Sequence, residues 1–208
     1  MKFLLYVVSA LTLGAAAGVS GAANLDAAAA QAQAQRLAIG VCGTCHGAQG
    51  NSEQPKFPRL AGQESEYLAA QLRAFKARTR GDPDAIGYMW VMAANLDDDV
   101  INALAKYYSE QKPAAGRHDD AALIARGKEV YENGVESAGV PPCFSCHGPE
   151  AGGAASFPRL AGQHAQYVLK QLSSFQNNMR DVAIMHGVAQ GLKLAQMRAV
   201  AAYLQALP

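Results

Sequence analysis

Two five-residue strings in this chain hold the side chains that can fix an iron porphyrin. They read Cys42-Gly43-Thr44-Cys45-His46 and Cys143-Phe144-Ser145-Cys146-His147. In each C-x-x-C-H string two thiols are spaced to add across the two vinyl groups of one haem, and the next residue offers an imidazole to the iron. A chance match in a chain of this composition is expected about two times in a thousand. Here two matches consume all four cysteines. Four cysteines in an exported protein also allow two disulfides, but the spacing favours haem. A thioredoxin-like use of C-x-x-C requires a βαβ context that this sequence lacks. A zinc site made from both pairs leaves His46 and His147 without a role. The expected cofactors are two covalently attached c-type haems, held by Cys42, Cys45, Cys143 and Cys146, with His46 and His147 as axial iron ligands.

The surroundings of the two strings repeat. Phe57-Pro58-Arg59-Leu60-Ala61-Gly62-Gln63 recurs as Phe157-Pro158-Arg159-Leu160-Ala161-Gly162-Gln163. Beyond it Tyr67, Gln71, Leu72, Phe75 and Arg80 align with Tyr167, Gln171, Leu172, Phe175 and Arg180, and Ala105 and Tyr107 with Ala201 and Tyr203. A period of about 100 residues marks a duplicated domain rather than a solenoid unit.

Elements that position these residues read as helices. Glu64–Ala77 and His164–Gln176 place Leu68, Leu72, Phe75 and Val168, Leu172, Phe175 on one face at helical spacing. Ala27–Val41 and Ile124–Asn133 lead toward the two strings. Asp97 is an N-cap candidate for Asp98–Ser109, and Leu194–Leu207 is the equivalent last helix. No alternating strand pattern persists, so the fold class is all-α, with each haem supplying much of a small domain's core.

Half of the residues are hydrophobic, 17% are charged, and the formal net charge is +1. This composition is globular, and it gives no support to a nucleic-acid partner. Lys2, the apolar run Phe3–Leu13 and the small residues that follow form an export signal with cleavage expected after Ala22 or Ala23. The apolar run is short for a membrane span of about 20 residues. The expected division is a signal peptide at 1–23, a first domain at 24–112, a linker at 113–119 rich in Pro, Gly and polar residues, and a second domain at 120–208. Haem attachment on an exported chain points to the periplasm.

From about Gln31 to Leu207 the sequence resembles the dihaem cytochrome c4 family, each half resembling one class I cytochrome c domain. The most specific matches are the two C-x-x-C-H-G motifs and the two F-P-R-L-A-G-Q-x-x-x-Y-x-x-x-Q-L-x-x-F segments. The resemblance implies two tandem class I domains, two His/Met haems with propionates facing the domain interface, and electron delivery toward a membrane-bound terminal oxidase from an upstream donor, with peripheral membrane association possible. It also implies that the carbonyls of Pro58 and Pro158 accept the second N–H of each ligating imidazole. Arg59, Arg159, Arg80 and Arg180 are candidate partners of the propionates, against the alternative of solvated surface charge. Tyr67 and Tyr167 read as core and interface aromatics.

For the distal ligand the repeat discriminates among the methionines. Met89 to Leu96 aligns with Met185 to Leu192, which pairs Met89 with Met185 and Met92 with Val188. Met197 lies within the last helix, where an apolar Met is usually core, and Met179 aligns with Arg78. Met89 and Met185 are therefore the expected iron ligands. His186 follows Met185 directly and is a competing candidate. Two segments have no counterpart in the other half, Gly134–Pro142 and four residues around Gly81–Asp84, and both are expected to bear on partner docking. The expected function is outer-sphere electron transfer between redox proteins, not catalysis. The alternatives are a haem subunit of a dehydrogenase complex and a dihaem peroxidase-type enzyme, which needs one haem with a displaceable ligand.

Overall fold

A computed structural model describes residues 17–208, with side chains from Asp26 onward. Most of the expected export signal lies outside the described residues, and the expected cleavage point falls where side chains are not described. In the first domain α1 (Ala17–Leu37) runs through a π-turn (Ala38–Cys42) into α2 (Gly43–His46). There follow α3 (Ser65–Lys76), a second π-turn (Ala85–Met89) continued by α4 (Trp90–Ala93), and α5 (Asp98–Ser109). The second domain repeats this order with α6 (Ala121–Asn133), a 3₁₀ turn (Glu136–Ala138), α7 (Phe144–His147), α8 (Ala165–Gln176), α9 (Ala183–Gln190) and α10 (Leu194–Ala206). The described residues contain no named strand, only the isolated bridges Val135–Val140 and Ala154–Phe157.

The long helices arise where apolar residues recur at helical spacing. α3 buries Leu68 and Phe75, and α8 buries Val168, Leu172 and Phe175. Asp120 caps α6 by accepting the Leu123 N–H at 2.9 Å, so that helix begins before the expected Ile124. Asp97 stands at the N-cap of α5 in an extended conformation, but its side chain makes no capping bond. It contributes only through charge near the helix start. The helices bearing the cysteines and methionines are one or two turns long, too short for periodicity to reveal.

In the second domain α6 crosses α10 at Gly127, where an added Cβ would lie 2.0 Å from the Ala199 carbonyl oxygen. This close approach buries Tyr131, Met197, Val200 and Leu204 in one cluster. In the first domain Ala34 and Ala38 of the N-terminal arm pack with Val100, Ile101, Leu104 and Tyr108 of α5. Equivalent backbone bonds register the two halves. Gly62 N–H donates to Tyr108 O at 2.9 Å, and Gly162 N–H to Leu204 O at 2.8 Å. The segment between α5 and α6 is tied to both domains. Asn51 bonds Lys112 O and the Ala114 N–H, and the Arg117 N–H donates to Gln205 O.

Candidate haem sites and the interface between them

Cys42 closes the first π-turn and precedes α2, which carries Cys45 and His46; Cys143 precedes α7, which carries Cys146 and His147. In a helical turn positions i, i+3 and i+4 share a face, so each turn presents two thiols and an imidazole on one side. Thr44 and Ser145 tie the turn down by donating to Val41 O and Pro142 O, both at 2.6 Å. None of the four thiols is in a disulfide. Burial raises the Cys42 pKa and pushes that of Cys143 up to about 11, so both are protonated thiols. Among the described residues no three His, Cys, Asp or Glu side chains converge as a metal cluster. The two cysteine pairs therefore do not combine into the zinc site considered above.

His46 Nδ1 lies 2.9 Å from Pro58 O, and His147 Nδ1 lies 3.0 Å from Pro158 O. With its proton on Nδ1 each ring donates to that carbonyl, and Nε2 is left to bind iron. Burial pushes both imidazoles below the ordinary histidine pKa, with the proline carbonyls acting the other way. Both rings are thus neutral, the form a metal requires. Phe57 and Phe157 stand edge-on to the two rings at 6.1 and 6.4 Å.

Met89 ends its π-turn and packs against Phe75, Ala85 and Ala93. Met185 lies on α9 against the second-domain core. Leu96 N–H bonds Ala93 O and Leu192 N–H bonds Ala189 O, each at 3.2 Å, so both methionine segments leave through the same turn. Met92 and Met179 are 53% and 46% exposed, whereas Met197 is buried in α10. His186 is held by protein groups on both ring nitrogens, Nδ1 at 2.7 Å from Phe175 O and Nε2 at 3.0 Å from Gln190.

The duplicated FPRLAGQ segments meet each other. Gln63 Oε1 accepts the Arg159 N–H at 2.7 Å while its Nε2 donates to Arg159 O at 2.9 Å. Gln163 makes the same pair with the Arg59 N–H and carbonyl, both at 2.9 Å. Each glutamine amide thus serves as a strand-like partner for the backbone of the other domain, an isologous arrangement with the logic of a two-fold dimer. Beside it lies a second reciprocal set. Arg80 donates to Gln71 (2.7 Å), Gln171 (2.9 Å) and Tyr167 (3.3 Å), and Arg180 to Gln171 (2.8 Å), Gln71 (3.0 Å) and Tyr67 (3.0 Å). Each guanidinium also stacks on its own domain's phenylalanine, Arg80 over Phe75 at 4.7 Å and Arg180 over Phe175 at 4.4 Å.

Two-fold equivalence fails at named places. Arg80 Nε bonds buried Asp82 at 2.7 Å, and Asp82 also accepts from Gln171. Lys170 pairs with Asp84, and the Gly81 N–H donates to Met179 O at 3.2 Å. The Gly81–Asp84 insertion is therefore committed to the other domain rather than to a partner surface. Gly134–Pro142 likewise folds back on its own domain, with buried Val140 packed against Gly191. His164 is buried and bonds Ser52 O across the interface at 2.9 Å, where the first domain has Glu64. Arg59 and Arg159 also differ. Arg59 donates to Gly162 O at 2.7 Å, and Arg159 donates to Pro208 O while its Nε is buried without a partner. None of the four arginines is a free surface charge.

The glutamines, Asp82, Asp84, Lys170 and His164 were not sequence candidates for this interface. The one available signal was the verbatim FPRLAGQ repeat. Two identical surfaces in one chain can satisfy each other, but a partner about 100 residues away leaves no local pattern.

The cytochrome c family matches residues 31–111 and again 124–208. Cytochrome c4 of Azotobacter vinelandii is 40% identical over 210 residues, covering 95% of this chain and 97% of that protein. The thiosulfate dehydrogenase electron acceptor of Thiomonas intermedia is 37% identical over 174 residues, covering 80% of this chain and 78% of its own length. The solved structure of Acidithiobacillus ferrooxidans cytochrome c4 superimposes with a TM-score of 0.76 at 42% identity, covering 80% of this chain and 98% of that one.

Proposed function

The chain belongs to the cytochrome c family as a dihaem cytochrome of the c4 kind, and from that premise we propose that it is a periplasmic carrier passing electrons from a respiratory donor to a terminal oxidase or equivalent acceptor. The bound haem irons supply the redox chemistry. The residues present fit that group. In both domains one helical turn offers two thiols and a neutral imidazole with Nε2 available, and a methionine stands at the equivalent later position. The buried, unpartnered Nε of Arg159, next to the Pro158 that holds His147, is a donor suited to a carboxylate of the same group.

In this reading Cys42, Cys45 and His46 with Met89 hold one haem, and Cys143, Cys146 and His147 with Met185 hold the other. The single observation that carries it is the duplicated imidazole–proline bond. It fixes both rings in the same tautomer and orientation and raises their basicity as ligands. A His/Met pair leaves no open position for a substrate and favours a higher potential than two histidines do, as outer-sphere transfer requires. Met197 stands apart from this role by its burial in α10, and Met179 by its alignment with Arg78 in the other half. No described helix is long and apolar enough to cross a membrane, and peripheral attachment at the membrane face is part of the proposal.

The similarity to a thiosulfate dehydrogenase electron acceptor favours a second reading, a dedicated acceptor for one dehydrogenase. Its haem chemistry is the same. Affinity capture of the native protein from solubilised membranes and the soluble fraction separates the two. Oxidase subunits in the eluate support the carrier, and a stoichiometric dehydrogenase supports the acceptor. Rapid carbon monoxide binding by the reduced protein would overturn both, because it requires a displaceable ligand.

A further inference from the structure

Each candidate ligand methionine has a neighbour whose side chain ties its segment to the rest of the domain. Trp90, next after Met89, donates its indole N–H to the Arg80 carbonyl at 2.8 Å. His186, next after Met185, meets the Phe175 carbonyl with Nδ1 at 2.7 Å. On the other flank the two domains part. Tyr88 precedes Met89, and its hydroxyl accepts from Lys56 Nζ at 2.6 Å, with the ammonium 4.5 Å from the ring centroid. Phe57 stands edge-on to the same ring at 5.9 Å and edge-on to His46 at 6.1 Å. The segment that follows His46 is thereby joined to the one that carries Met89. In the second domain Phe157 keeps its contact with His147. Ser156, however, stands at the place of Lys56, and Ile184 at that of Tyr88. Ile184 has neither a ring nor a polar side-chain atom and is 67% exposed.

We propose that Lys56 and Tyr88 form a strap that slows the departure of Met89 from its iron, and that Met185 has no such strap. The strap falls where the fold holds its methionine least firmly. Met89 ends a five-residue π-turn that leads into a one-turn helix, whereas Met185 lies within the eight-residue α9 and packs on the continuous second-domain core. Release of the sulfur requires the segment to move, and that movement separates Tyr88 from Lys56 and Phe57. An edge-to-face aromatic pair and a hydrogen bond each add to the barrier. The fixed end of the strap is itself well anchored, since Phe57 packs on His46 and the Pro58 carbonyl orients that ring. Lys56 and Tyr88 are positioning residues that act through Met89.

The proposal rests on the reading of Met89 and Met185 as iron ligands, and the same experiment tests that reading separately. Imidazole added to the ferric holoprotein displaces a methionine sulfur, and at saturating imidazole the observed rate is that of sulfur release. Met89→Ala and Met185→Ala assign the phases, since each should convert one slow displacement into rapid binding. If neither does so, the ligand assignment fails and the strap with it. Tyr88→Ile and Lys56→Ser place the second-domain residues in the first. They should accelerate release of Met89 by about 5–10-fold and about 2–5-fold respectively, and leave release of Met185 unchanged. Tyr88→Phe keeps the ring and loses the hydroxyl, and should fall between wild type and Tyr88→Ile. Ser156→Lys combined with Ile184→Tyr should slow release of Met185. An unchanged Met89 rate in both Tyr88→Ile and Lys56→Ser would overturn the proposal. Equal acceleration of the two phases would do so too, because it would show general loosening rather than a local strap.

Discussion

The two domains hold their functional residues alike and anchor them differently. In the second, α6 and α10 close on Gly127, and Met185 packs onto one continuous core that also contains Tyr131, Leu172 and Met197. In the first, Met89 belongs to a smaller cluster around Phe75, Ala85 and Ala93, joined through Leu96 to the core built by α1, α3 and α5. Its segment enters through a π-turn and is braced against the second domain by Asp82, which accepts from Gln171, and by Asp84, which pairs with Lys170. Positions that are duplicated build the two sites and the symmetric interface. Positions that are not duplicated make the domains unequal, and here they fall at the interface and around the methionine segments.

The largest effect should come from the tight crossing in the second domain. Gly127→Val should destabilise that domain by about 3 kcal/mol, because the backbone of α10 cannot give way to a side chain at this distance. Arg126→Ala, at the exposed neighbouring position on α6, should be nearly neutral in the same thermal unfolding experiment. A similar loss in both would remove the crossing as the distinctive feature of that domain.

Ligand replacement sharpens the comparison at the sites. Met89→Ala and Met185→Ala should each remove about half of the weak near-infrared sulfur-to-iron band and lower one potential. Met92→Ala should leave both intact, as its alignment with Val188 implies. Loss of ligation in Met92→Ala but not in Met89→Ala would show that the first-domain segment does not follow the repeat.

Much of this was legible in the chain, for identifiable reasons. The C-x-x-C-H turns need only local spacing, and the long helices announce themselves by periodicity. Aligning Met89–Leu96 with Met185–Leu192 pairs Met89 with Met185, and equivalent turn bonds at Leu96 and Leu192 agree with that alignment. The π-turns and one-turn helices carry too few residues for a period. The cap at Asp97 failed because its backbone adopts the capping conformation while its side chain bonds nothing. Asp82 was visible only as part of the Gly81–Asp84 insertion, since its partners Arg80 and Gln171 converge on it only when the domains pack.

The reciprocal glutamines come next in size. Gln63→Ala leaves the Arg159 N–H and carbonyl without partners, and Gln163→Ala does the same at Arg59. Each should cost about 1–3 kcal/mol, and their combination should split a single unfolding transition into two. Equal losses from the two single variants support the symmetric interface, and a one-sided loss breaks it.

The smallest expected effect is a pH dependence confined to the second domain's side of that interface. Burial lowers the His164 pKa, the Ser52 carbonyl opposes this, and the nearby Arg59 and Arg117 charges lower it further. Folding thus favours the neutral ring. Its contribution is fully present above the unfolded value of about 6.5 and is lost as pH falls from there through the depressed folded value. Chemical denaturation across this range should show stability declining on acidification, and His164→Gln should flatten that part of the curve. A decline unaltered by the substitution would assign it to other groups.

The account depends first on two complete haem sites, and intact-mass spectrometry of the purified protein, with an alkaline pyridine spectrum, tests this directly. Both should report two covalently bound haems per chain. A mass corresponding to one haem, or a colourless zinc-containing protein, would contradict it.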